Sequence, residues 1–136
     1  MSGKCFVDTN VLVYLFDADV PAKRDAAARW LEEHAEQVVL STQVLQEFYV
    51  AVTRKLGRPL PEDEAEAAVR RLASFEVVSI EPEMVLAAIG RSRRHRLAFW
   101  DALVVEAALS RGCTVLVTED FQNGRRFETL EVRRPF

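Results

Sequence analysis

Short apolar runs, mostly rich in valine, recur at residues 4–8, 37–41, 76–80, 114–118 and 129–133 and read as strands. Between them apolar positions return every three or four residues, the spacing of a helix with one buried face. That pattern predicts helices over residues 10–17, 21–35, 42–56, 61–74, 82–95 and 99–111. Local punctuation agrees with it. Pro21 and Pro82 open segments, and Gly57-Arg58-Pro59-Leu60-Pro61 forms a turn. Gly112 closes the last helix, and Asn123-Gly124 marks a tight turn. The segment 61–74 has acids in its first turn and arginines later, the order the helix dipole favours. Strands alternating with helices predict an α/β fold, a central, mostly parallel sheet of about five strands flanked by helices. With 136 residues and neither internal repeat nor linker, one domain over residues 1–136 is expected.

Four acidic positions break this pattern. In KCFVDTNVLVYLF, residues 4–16, the polar insert Asp8-Thr9-Asn10 interrupts an apolar run at the end of the first strand. Glu47 shares the apolar face of helix 42–56 with Val44 and Ala51. Asp101 stands among Phe99, Trp100, Leu103, Val104 and Val105. The strand TVLVT, 114–118, runs directly into Glu119-Asp120. Each has an ordinary explanation: a helix cap or dipole partner for Asp8 and Asp101, the margin of a buried face for Glu47, a turn residue for Asp120. One shared cluster explains all four together. In a parallel sheet the functional crevice lies beyond the carboxyl ends of the strands, where Asp8 and Asp120 would both emerge. Carboxylates gather there only if something neutralises them. Hard oxygen donors without histidine or cysteine suit Mg²⁺ or Mn²⁺, and a carboxylate-held metal pair suits phosphodiester hydrolysis.

Composition narrows the choice. At 49% hydrophobic and 29% charged residues the chain can bury a core and is not disordered. No apolar run approaches the roughly 18 residues of a membrane span. The run after Lys4 is broken at once by Asp8 and Asn10, unlike a signal peptide, so a cytoplasmic protein without membrane association is expected. Cys5 and Cys113 are isolated, as are His34 and His95, so none makes a metal-ligand pair. A net charge of −3 is wrong for a phosphate binder, yet two divalent cations would reverse its sign. The densest basic run is SRRHR, residues 92–96, just ahead of the Asp101 helix. Arg93, Arg94 and Arg96 are therefore candidate phosphate contacts at the rim of the acidic crevice.

The motifs VDTNVLVYL (7–15), QEFYVAVTRK with Glu47, FWDALVVEAAL (99–109) and VLVTEDFQNG (115–124) occur in this order along nearly the whole chain. In them the chain resembles PIN-domain ribonucleases, specifically the VapC-like toxins of VapBC toxin–antitoxin pairs. The resemblance implies a three-layer α/β/α fold. It also implies a quartet, Asp8, Glu47, Asp101 and Asp120, holding one or two Mg²⁺ or Mn²⁺ ions, with Asp8, Asp101 and Asp120 as the main ligands. Glu47 would ligate a second ion or act through water, Thr118 would orient a water or the fourth acid, and Asn10 would brace the first acid. Asp120 rather than Glu119 fits the family's Thr-x-Asp pattern, and strand alternation points Thr118 and Asp120 the same way. The implied activity is metal-dependent endoribonuclease cleavage of tRNA or ribosomal RNA. The implied partners are a small VapB-like antitoxin and a second copy of the chain. Two other readings compete. One is a catalytically silent PIN-like module that binds RNA or protein. The other is a phosphatase of the haloacid-dehalogenase type, which would need a second Asp where Asn10 stands.

Overall fold

The computed structural model describes residues 3–136; Met1 and Ser2, part of the expected single domain, lie outside the described residues. Strand β1 (Cys5–Val7) is buried at all three positions and leads directly into a short helix α1 (Thr9–Val13). The helix expected over 10–17 is thus shorter, and its second half, Tyr14–Phe16, winds as a 3₁₀ turn. There follow α2 (Pro21–Glu33), β2 (Val38–Ser41), α3 (Thr42–Arg54), α4 (Glu62–Leu72) and β3 (Glu76–Val78). The chain continues through α5 (Pro82–His95), α6 (Phe99–Ser110), β4 (Val115–Val117), β5 (Arg126–Phe127) and β6 (Leu130–Arg133). Local chemistry sets these ends. Ser41 caps α3 by accepting from the Val44 amide at 3.2 Å. Gly112, at φ +68, follows α6 in the left-handed region that a glycine enters without strain.

The sheet is mixed and has six strands in the order β3-β2-β1-β4-β6-β5, parallel except for β5 against β6. The sequence pattern accounts for five of them. The sixth, β5, is two residues long and pairs with β6 across the turn at Glu128-Thr129. That turn contains neither glycine nor asparagine, and Glu128 adopts φ +56 in their place. A carboxylate oxygen of Glu128 accepts from Arg91 Nη2 at 2.7 Å, which holds the turn against α5.

Helices flank the sheet. Helix α3 packs on α1 and α4, and α5 packs on α6. The main core gathers Phe6, Leu12, Leu40, Phe48, Leu116 and Leu130, all essentially without solvent contact. A smaller cluster, Ala88, Ala102 and Leu103, lies between α5 and α6. Cys5 and Cys113 are free and buried in the main core, and burial pushes the Cys113 thiol up to about 12. No helix among the described residues is long and apolar enough to cross a membrane.

The order of strands positions the site. The chain builds β1, β2 and β3 outward in one direction, then returns to place β4 on the other free side of β1. The reversal falls between β1 and β4, where the connections leave in opposite directions and open a crevice at the strands' carboxyl ends. Asp8 follows β1 and Thr118-Glu119-Asp120 follow β4. The Asp8 amide donates to Val117 O at 3.0 Å and ties the two ends together.

Candidate active site

Asp8 is buried, 4% exposed, at the start of α1. Its Oδ1 accepts from the Thr9 amide at 2.8 Å and its Oδ2 from the Thr118 hydroxyl at 2.8 Å. The ordinary expectation, a helix cap, and the chemical one, a strand-end carboxylate, therefore describe the same residue. Burial lifts its pKa to about 6, partly offset by the bonds from Thr118 and Thr9, and the charges of Asp120 and Glu47 push the same way as burial. Asp101 lies in the first turn of α6, whose N-cap position is held by Ala98 without any side-chain bond. Its carboxyl is also raised, first by burial and then by Asp120 and Glu47. Asp120, beyond the end of β4, and Glu47 of α3 thus both act electrostatically on Asp8, beyond the end of β1, and on Asp101 of α6. Among the described residues none of the four is paired with a lysine, arginine or histidine, whereas Glu119 pairs with Lys23 and Glu76 with Lys4 and Arg111.

The acids do not form a closed cluster. Among the described residues no three acidic, histidine or cysteine side chains stand close enough to make a ready metal cage. Each is held by its own element. Glu47 is half-buried, and both its oxygens are engaged. Thr9 Oγ1 donates to Oε1 at 2.9 Å, and Gln43 Nε2 donates to Oε2 at 3.2 Å. The same Gln43 nitrogen donates to the Trp100 carbonyl at 3.2 Å, joining α3 to the helix that carries Asp101. The sequence pattern marks Thr9 only as a possible helix cap beside Asp8 and does not mark Gln43. Gln43, one turn before Glu47, was the available signal, since a polar residue four positions from a buried acid shares its face.

Thr118 is the hub. Besides donating to Asp8, its hydroxyl oxygen accepts from Asn10 Nδ2 at 3.3 Å and from the Asp120 amide at 3.0 Å. The Asn10 side chain makes no hydrogen bond to Asp8 and reaches it through Thr118, while its Oδ1 accepts from the Glu119 amide at 3.4 Å. Glu119 turns away, accepting from the Tyr14 hydroxyl at 2.7 Å and from Lys23 at 3.4 Å. Asp120 is exposed and lines a cavity of about 670 Å³ together with Thr9, Asn10, Gln43, Glu47 and Trp100. Arg93, Arg94 and Arg96 are exposed at the end of α5, and none of them lines that cavity. Arg96 is the left-handed cap of α5, its amide bonded to Ser92 O, so this end of the basic run serves to stop the helix.

Removing the hub hydroxyl isolates its role. Thr118→Val keeps the shape but strands an oxygen of Asp8 and two donors, and we expect it to cost about 1–3 kcal/mol. The Asp8 pKa should rise further, because a bond that favours the charged form is lost. Titration of the Asp8 carboxyl by NMR checks this; an unchanged or lower pKa would contradict the geometry.

A doubly wound, mostly parallel sheet with unpaired acids around its switch point defines an α/β domain with an acidic crevice. The model of the PIN-domain family matches residues 5–126, and the chain belongs to that family. No curated protein matches it. Among solved structures, it is similar to the Mycobacterium tuberculosis VapC20, a toxin that cleaves the sarcin–ricin loop. The two are 24% identical over 86% of this chain and 90% of that one, with a TM-score of 0.71. It is also similar to a toxin–antitoxin complex from Klebsiella pneumoniae, at 19% identity over 98% of each chain and a TM-score of 0.74. A DNA-bound VapBC from Salmonella typhimurium matches at 16% identity over 98% of each chain, with a TM-score of 0.69.

Proposed function

We infer that the protein is a metal-dependent endoribonuclease, a VapC-like toxin whose site is the quartet Asp8, Glu47, Asp101 and Asp120. The observation that carries this is that Glu47 and Asp120 add their charge to the burial that raises Asp8 and Asp101, while none of the four is paired with a cationic side chain among the described residues. A bound cation would relieve the cost of keeping these carboxylates charged near neutral pH. The donors are all carboxylates, which fits Mg²⁺ or Mn²⁺. The open spacing fits as well, because Mg²⁺ keeps several waters and binds through one or two carboxylates plus substrate phosphate.

Asp101 and Asp120 accept no hydrogen bond from the described residues and are free to ligate. Asp8 is oriented by Thr9 and Thr118 as the third ligand. Glu47, with both oxygens already engaged, acts through water. When bound, one or two divalent ions supply an activated water and offset the charge that builds on the phosphate. Thr118 holds Asp8 and the Asp120 backbone in register, and Gln43 holds Glu47 beside the Asp101 helix. The reading extends to an RNA substrate of the tRNA or ribosomal class, a small VapB-like antitoxin, a homodimer and a cytoplasmic location. Likeness to the VapC20 toxin and to the toxin–antitoxin complexes supports the ribosomal RNA and the antitoxin; the tRNA alternative, the homodimer and the location rest on the resemblance in sequence motifs alone.

Single-turnover cleavage of RNA with Mn²⁺ tests the reading. Wild type is expected to cleave, EDTA to stop it, and Asp101→Asn to lose at least about 100-fold, more than a residue behind a ligand typically contributes. Equal residual activity in wild type and variant would defeat the hydrolase and leave the silent binding module. The phosphatase alternative finds no support in the site, where the Asn10 amide is spent on Thr118 and Glu119.

A further inference from the structure

The cavity beside the acids has a second, apolar wall. Trp100, the residue before Asp101, is 61% exposed, whereas residues 102–105 of the same helix are buried. Its ring meets Phe99 edge-on at 5.1 Å, which limits its swing. Val13, Val50 and Leu56 line the same cavity as Trp100, with Gln46 and Lys55 among the polar groups. Val50 is itself 44% exposed, and Lys55 makes no ion pair among the described residues. An indole left in water beside a cavity of about 670 Å³, next to a catalytic-type acid, is an unusual use of a large aromatic residue.

We propose that this wall is a nucleobase subsite, with the Trp100 indole as the stacking platform for an unpaired base next to the scissile phosphate. The proposal rests on the nuclease reading for its substrate and goes beyond it by assigning the base. A nucleotide is a ligand with two unlike halves, a flat π-face and an anion. The cavity offers two matching halves: an exposed indole with aliphatic neighbours, and the carboxylates of Glu47 and Asp120, where a cation held by the quartet would meet phosphate, with Lys55 as a further positive charge. Stacking requires a base out of a duplex, so the subsite selects loops or single strands over paired RNA. Gln46, exposed and carrying a free amide, is placed to read a base edge. Gln43 fixes the platform from behind, since it bonds the Trp100 carbonyl and leaves the indole outward.

The test uses the full chain and does not depend on turnover. In Trp30→Phe the only remaining tryptophan is Trp100. With Ca²⁺ as the oxygen-binding cation, a short single-stranded RNA should quench its fluorescence. An abasic oligomer of the same length and charge should not. Trp100→Ala should weaken RNA binding by about 10-fold to 100-fold, the span that loss of one stacked base implies. Trp100→Phe should retain most of the affinity, and both variants should keep wild-type Mn²⁺ affinity by calorimetry. Equal quenching by the abasic oligomer, or undiminished RNA binding by Trp100→Ala, overturns the proposal. Quenching by a basic, apolar peptide but not by RNA also overturns it, and assigns the wall to a protein partner. Quenching without any cleavage by wild type would defeat the hydrolase and leave the subsite standing. Cleavage without quenching would do the reverse.

Discussion

Asp8→Asn is expected to melt above the wild type at pH 8 while losing RNA cleavage. Asp8 in the native protein takes up its proton near pH 6 because burial penalises its charge, whereas in the unfolded chain it titrates near its ordinary value of 3.8. Native-state proton binding is therefore the tighter. The group's contribution to stability is fully present below about pH 4 and is lost as pH rises through 6. Above pH 7 the buried charge costs the fold about 3 kcal/mol. Asparagine removes that charge but cannot accept the Thr118 hydroxyl bond as well, at a loss of about 1 kcal/mol. A net gain of about 1–2 kcal/mol follows, or about 3–8 °C in Tm. The advantage should shrink toward pH 4, where the wild-type carboxyl is neutral. Added Mn²⁺ should raise the Tm of the wild type and not that of the variant. A variant less stable than wild type at pH 8, or one whose advantage ignores pH, would show that Asp8 is not the burdened group. The pattern is the familiar trade of stability for a working site.

The second large effect lies away from the crevice. Arg91→Ala is expected to destabilise the fold by about 3–5 kcal/mol, because it leaves a carboxylate without its buried partner. Arg91 is buried on α5, donates to Glu106 of α6 through Nε, and reaches Glu128 through Nη2 at 2.7 Å. Glu106 is the half that suffers, with its side chain only 16% exposed, while Glu128 at 65% returns to water. The double variant Arg91→Met with Glu106→Leu should recover most of the loss, since well-packed apolar residues often replace a buried pair without penalty. Urea melts of the three proteins decide it. A single variant within about 1 kcal/mol of wild type, which is the scale of exposed pairs, would place this pair with the surface ones.

Both effects show how unevenly the chain discloses itself. The alternation of Val-rich strands with amphipathic helices was legible, and so were most element bounds within a few residues. The helix over 10–17 was overextended because periodicity does not separate an α-turn from the 3₁₀ turn at Tyr14–Phe16. Strand β5 was missed because two residues carry no periodic signal and its turn uses Glu128 where asparagine or glycine is usual. Arg91 directly precedes SRRHR, and nothing in the sequence sets it apart from those cations. Only the packing of α5 on α6 made it the buried one, leaving Arg93, Arg94 and Arg96 in water.

The site divides in the same way. Each acid stood out locally, since a carboxylate within an apolar run is a conflict that a single strand or helix cannot resolve. How the four are held was not visible. Thr118 bonds Asp8 across 110 positions, and Thr9 bonds Glu47 across 38. The sequence by itself determined the elements, their order and the four anomalous charges, because those follow from propensity and burial along short stretches of chain. Tertiary structure alone decided that β4 returns beside β1, that Glu119 faces Lys23 while Asp120 faces the cavity, and that Trp100 stays in water. Those depend on which surfaces meet, and hydrogen bonds and charges act through space without regard to distance along the chain.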